Sequence, residues 1–102
     1  MTANALRGEA TLVVGGETLV LRPSFAALVA AEEELGSLFA LVERAAAGGL
    51  KLAEIVALFW HCLAERPEGI TLERLGAAVV EHGIAAAMPA LRVLLRQVLQ
   101  GR

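Results

Sequence analysis

The 102-residue chain has the size of a single domain spanning 1–102, and its 57% apolar content exceeds the roughly 45–50% of an average soluble domain. Twenty alanines and 18 leucines supply much of that excess and favour helix, while a net charge of −2 without a basic cluster disfavours nucleic-acid binding through phosphate neutralisation. The lone Cys62 has no internal disulfide partner, the longest uncharged apolar runs are ten residues, and the start lacks a signal-peptide pattern, so a cytoplasmic domain without membrane contact is expected.

Residues 9–22 predict a β-hairpin, because two Val-, Leu- and Thr-rich stretches flank Gly15-Gly16, a pair suited to a two-residue turn. On the second arm Thr18, Val20 and Arg22 face one way, and Glu17, Leu19 and Leu21 the other. Pro23 ends the strand, and Ser24 caps a helix whose stripe is Phe25, Leu28, Val29, Glu32 and Leu35. Gly36 stops it. Ser37 caps a second helix with Leu38, Leu41, Val42 and Ala45 on its stripe, closed by Gly48-Gly49.

A third helix, about 52–65, is apolar nearly all round, which predicts a central position. Arg66-Pro67-Glu68-Gly69 breaks it, and Thr71 caps a fourth helix that turns Leu72, Leu75, Val79 and Val80 inward and ends at Gly83. The last helix, about 84–99, presents Ile84, Met88, Leu91, Leu95 and Val98; Pro89 inside it predicts a kink or a break. Residues 84–102 carry three arginines and no acid, whereas residues 1–83 carry six basic residues against eleven glutamates. The expected fold class is α+β, mostly α: an N-terminal β-hairpin, then four to five helices packed around a central apolar helix.

Catalytic constellations do not assemble from this sequence. The chain has no aspartate, Ser24 and Ser37 are accounted for as caps, and adjacent His61 and Cys62 point about 100° apart on a helix. Cys62 is expected as a small buried apolar residue and His61 as a boundary or core histidine. No CxxC or HxxxH spacing offers a metal site, and neither glycine pair belongs to a phosphate-binding loop. Glu32-Glu33-Glu34 is expected as a solvated helix face, with one carboxylate pairing Arg22 or Arg44. Trp60 suits either core packing or a partner anchor. A non-enzyme with no catalytic, cofactor or metal residues is expected, which leaves surface recognition.

One combination bears on identity: Leu6-Arg7-Gly8-Glu9 leading into a hairpin, then Leu21-Arg22-Pro23-Ser24-Phe25 and an Ala-rich helix with Leu28 and Glu32. A tryptophan in an apolar helix follows, then Leu72, Leu75, Val79-Val80-Glu81 and Gly83. In this order the chain resembles, from about residue 4 to 99, the small phage-like tail proteins of gene transfer agents, labelled tail tube protein or tail assembly chaperone. The resemblance implies a bacterial, prophage- or gene-transfer-agent-encoded morphogenesis factor. Such chaperones coat the tape-measure protein and help recruit tail-tube subunits, and the family carries no catalytic residues.

A tail assembly chaperone that binds the tape-measure protein is therefore expected. The alternatives are a structural tail component, either tube or connector subunit, and a small regulatory interaction module. Tape-measure protein, tail-tube subunits and a second copy of this chain are the candidate partners; nucleic acid and membrane are not. The apolar surplus predicts an exposed patch on the last helix (Val93, Leu94 and Leu99) or on the first helix pair, with Trp60 as a further contact.

Overall fold

The computed structural model describes residues 9–14 and 16–100. Leu6, Arg7 and Gly8, which contribute to the family pattern, and Gly15 of the expected turn lie outside these residues. Strand β1 (Ala10–Val14) pairs antiparallel with β2 (Glu17–Leu21), Ala10 opposite Leu21 and Val14 opposite Glu17. That register leaves two residues for the turn, and Gly16 sits at φ +82°, a conformation glycine adopts without steric cost.

Burial on β2 does not alternate: Leu19, Val20 and Leu21 are all buried. The reason lies across the sequence. Arg22 N–H donates to the Cys62 carbonyl at 2.6 Å, Ala64 N–H donates to the Val20 carbonyl at 2.9 Å, and Leu63 bridges Leu21. An extended segment thus occupies the outer edge of β2 and satisfies its backbone. The same pairing pulls Leu63 out of helical geometry, so the third helix stops at Cys62 rather than near residue 65.

Five helices follow: α1 (Phe25–Leu35), α2 (Leu38–Ala46), α3 (Leu52–Cys62), α4 (Leu72–His82) and α5 (Ile84–Gln100). Three start at side-chain caps. Ser24 Oγ accepts from Ala27 N–H, Ser37 Oγ from Ala40 N–H, and Thr71 Oγ1 from Arg74 N–H, each cap contributing about 1 kcal/mol. Helix α3 starts differently. Glu54 accepts from the Lys51 backbone N–H at 2.9 Å and holds Arg44 of α2 through two bonds of 2.8 and 2.6 Å. Those donors hold the Glu54 carboxyl below the usual carboxylate range, the Arg44 guanidinium first among them.

Helix α3 is central, as its composition predicts: Ile55, Val56, Ala57, Leu58, Phe59 and Cys62 are buried. Helices α1 and α4 pack against it, α4 also meets α5 and β1, and α5 returns to β1 and α2. Phe59, Leu21, Leu41, Leu58, Leu75 and Leu94 are fully enclosed, each burial contributing about 1.5–3 kcal/mol.

Two helices keep part of their sequence stripes against the core, Leu28 and Leu35 on α1 and Met88, Leu91, Leu95 and Val98 on α5, but not their first residues. On α1, Ala31 is the buried residue and Phe25 is 85% exposed. Ala27 and Ala31 face the core beside Leu28 and Leu35, and Phe25, at the start of the helix, stays outside. On α5, Ala87, Ala90, Leu91 and Leu94 form the inner face, while Ile84 is exposed. Pro89 does not break this helix. It sits on the exposed side, one turn after exposed Ala85, so the carbonyl it leaves without a backbone donor can be satisfied by water. The sharp change of direction comes earlier: Gly83, at φ +90°, separates α4 from α5, whose axes differ by 116°.

Candidate functional site

The residues that invite a catalytic reading are tied up structurally. Cys62 is fully buried, and burial pushes its thiol up to about 12, far from a reactive thiolate. His61 turns away from it and pairs through Nε2 with Glu34 Oε1 at 2.6 Å, linking α3 to α1. Glu32 accepts from the Leu38 N–H at 3.2 Å. The glutamate run therefore does not supply the partners of Arg22 and Arg44. Arg22 pairs instead with buried Glu9 at 2.6 Å, and Arg44 with Glu54. Among the described residues, no three His, Cys or Glu side chains converge as a metal site, and no single helix is long and apolar enough to cross a membrane.

The exposed apolar side chains are more informative. Helix α4 buries Leu75, Ala78 and Val79, but Leu72 and Val80 are 40% and 58% exposed rather than turned inward. They lie eight residues apart with Gly76 midway, which aligns all three along one side of the helix. Leu52 of α3 is 40% exposed beside them. Together Leu52, Ala53, Val56, Leu72, Gly76, Ala77 and Val80 line an open groove of about 660 Å³ between α3 and α4, edged by Glu73 and Glu81.

Gly76 gives this groove its depth. A Cβ built there would meet the nearest Val56 methyl at 3.6 Å, an ordinary contact. The α3–α4 packing thus leaves room for alanine, yet a glycine stands inside a helix, where it costs about 1 kcal/mol relative to alanine. Its missing side chain lowers the groove floor and opens the α4 backbone to a close approach from outside.

A second apolar surface joins the expected last-helix and first-helix-pair patches. Leu28, Leu38, Phe39, Val42, Val98 and Leu99 line it, with Phe39 61% and Leu99 53% exposed. Of the residues expected to contact a partner, Leu99 is thus on the surface and Val93 is partly buried. Leu94 is fully buried in the core and is unavailable to a partner in this fold, because α5 turns its 87–94 side inward. Trp60 is partly buried beneath Arg66, whose guanidinium lies 4.2 Å from the ring centroid and donates to the Trp60 carbonyl. That stacking covers a ring which sequence alone leaves open to either role.

Sequence reasoning missed Leu72 and Val80 as surface groups by turning the α4 stripe inward, counted Leu52 with the apolar face of the central helix, and drew nothing from Gly76. The available signal was a glycine at the middle of an otherwise regular apolar row. No curated protein and no solved structure matches the chain significantly. The family described as phage tail tube protein, GTA-gp10, matches residues 7–101. With nearly the whole length matched, the chain belongs to this gene transfer agent phage tail family.

Proposed function

We propose that the chain is a tail-assembly chaperone, and that its α3–α4 groove shields an apolar helical stripe of the tape-measure protein before the tube encloses it. The observation that carries this reading is the groove itself. It is lined mostly by apolar side chains, lies open to solvent, and includes a helix-interior glycine that the chain's own packing does not require. Such a surface suits helix-in-groove recognition, in which side chains at i, i+3, i+4 and i+7 of an incoming helix seat on an apolar trough.

The family description also fits a subunit of the tube, which would remain in the finished particle. Two features favour the chaperone. The described residues contain one two-stranded sheet, and the outer edge of β2 is already occupied by residues 63 and 64, so that edge does not offer a strand-pairing surface. The accessible apolar groups of the groove are on helices instead.

Co-expression with the tape-measure protein of the same gene cluster tests the proposal. The expected result is co-purification that is lost in a Leu72→Glu, Val80→Glu double variant, together with absence of the chain from finished tails. Stoichiometric retention in purified tails without tape-measure binding would replace this reading with the tube subunit.

A further inference from the structure

We propose that the α3–α4 groove of one copy receives the outer face of α5 from a second copy, so that the free protein associates head to tail. The groove edge is acidic. Glu73 and Glu81 are exposed, neither forms an ion pair among the described residues, and no basic residue lines the groove.

The matching surface is on α5, the helix without an acid. Ala85, Pro89, Arg92 and Arg96 recur at i, i+4, i+7 and i+11, all exposed, and neither arginine forms an ion pair among the described residues. Its first half presents small apolar side chains and its second half two cations. From Leu72 to Val80 the groove follows α4 for about 12 Å, and Ala85 to Arg96 spans about 16 Å. A helix face of that length spans the groove and sets both arginines toward one end of its acidic edge. Small residues on both sides, Ala53, Gly76 and Ala77 against Ala85 and Pro89, suit interaxial distances of about 8 Å, at the close end of helix packing.

Charge also selects which surfaces meet. Groove against groove would bring Glu73 and Glu81 onto their own copies, and α5 against α5 would bring arginine onto arginine. The complementary arrangement joins unlike surfaces. Used once per copy, such a contact is heterologous and propagates into a ring or an open chain; used reciprocally across a two-fold axis, it closes a dimer. The same groove would then be covered by a sister copy until another helix displaces it.

The test uses the chain alone, so it can fail without the tape-measure reading and the reverse. Sedimentation velocity across a concentration series is expected to show a dimer or larger species, with association weakening about tenfold between about 50 and 500 mM salt. Arg92→Glu with Arg96→Glu makes both surfaces acidic, and Glu73→Arg with Glu81→Arg makes both basic. Each double variant alone should be monomeric, with an unchanged circular dichroism spectrum because all four positions are exposed. Mixing the two variants should restore assembly, since each surface then meets its opposite on the other protein. A monomeric wild-type chain, association that survives in either variant, or a mixture that stays monomeric would overturn the proposal.

Discussion

Gly76→Ala separates the fold's needs from those of the surface. The residue lies in the interior of α4, and alanine there gains about 0.8–1.0 kcal/mol in helix propensity. The added methyl meets Val56 Cγ1 and Cγ2 at 3.6 and 4.0 Å, so it adds contact without a clash. Partial burial of one methyl contributes about 0.4 kcal/mol, half the full value. The expected sum is a stabilisation of about 1–1.5 kcal/mol, read as a rise of about 4–8 °C in Tm or of about 0.5–1 M in the urea midpoint. The same methyl raises the groove floor, so capture of a helix by the groove should weaken while stability rises. A loss of stability beyond about 0.5 kcal/mol would show that the α3–α4 contact itself requires bare backbone, and the argument that this glycine serves something outside the fold would fail.

Gly83→Ala should cost about 1–3 kcal/mol in chemical denaturation, because φ +90° with ψ 142° is a region that side-chain-bearing residues avoid; a neutral result would remove Gly83 as the cause of the α4–α5 bend. Trp60→Ala should lose about 2 kcal/mol, less than the 3–5 of a fully enclosed aromatic, since its ring is partly exposed under Arg66. The Glu54 carboxyl is held down by Arg44, so its contribution is present above the ordinary carboxylate range and disappears as pH falls through the depressed folded value. Glu54→Gln should therefore narrow the stability difference between about pH 7 and pH 3 relative to the unmodified chain. Native Cys62 should resist a disulfide-exchange reagent at about pH 8, because its thiol is enclosed and pushed up to about 12, and should react fully once the chain unfolds.

Local chemistry in the sequence specified the outline of this protein. Ser24, Ser37 and Thr71 each have a hydroxyl placed to accept a first-turn N–H. Gly36 and Gly83 stop helices through conformations that depend on neighbours only one or two residues away, and the near-uniform apolarity of 52–62 sent α3 to the centre. The family resemblance was likewise linear, and the family matches residues 7–101 without reference to packing.

Tertiary contacts decided which apolar residues are hidden. Periodicity marks a stripe on a helix but does not say how much of its width a neighbour covers, so Leu72 and Val80 were indistinguishable from Leu75 and Val79 until α3 was set beside them. The packing of α1 left Phe25 outside, and the packing of α5 enclosed Leu94 and left Leu99 exposed. Residues 62–64 end α3 early because they pair with a strand forty positions earlier, an attraction invisible to any local window. A candidate docking surface is the area left after all these choices. It depends on the helix arrangement as a whole, whereas caps and stops depend on a few neighbouring bonds.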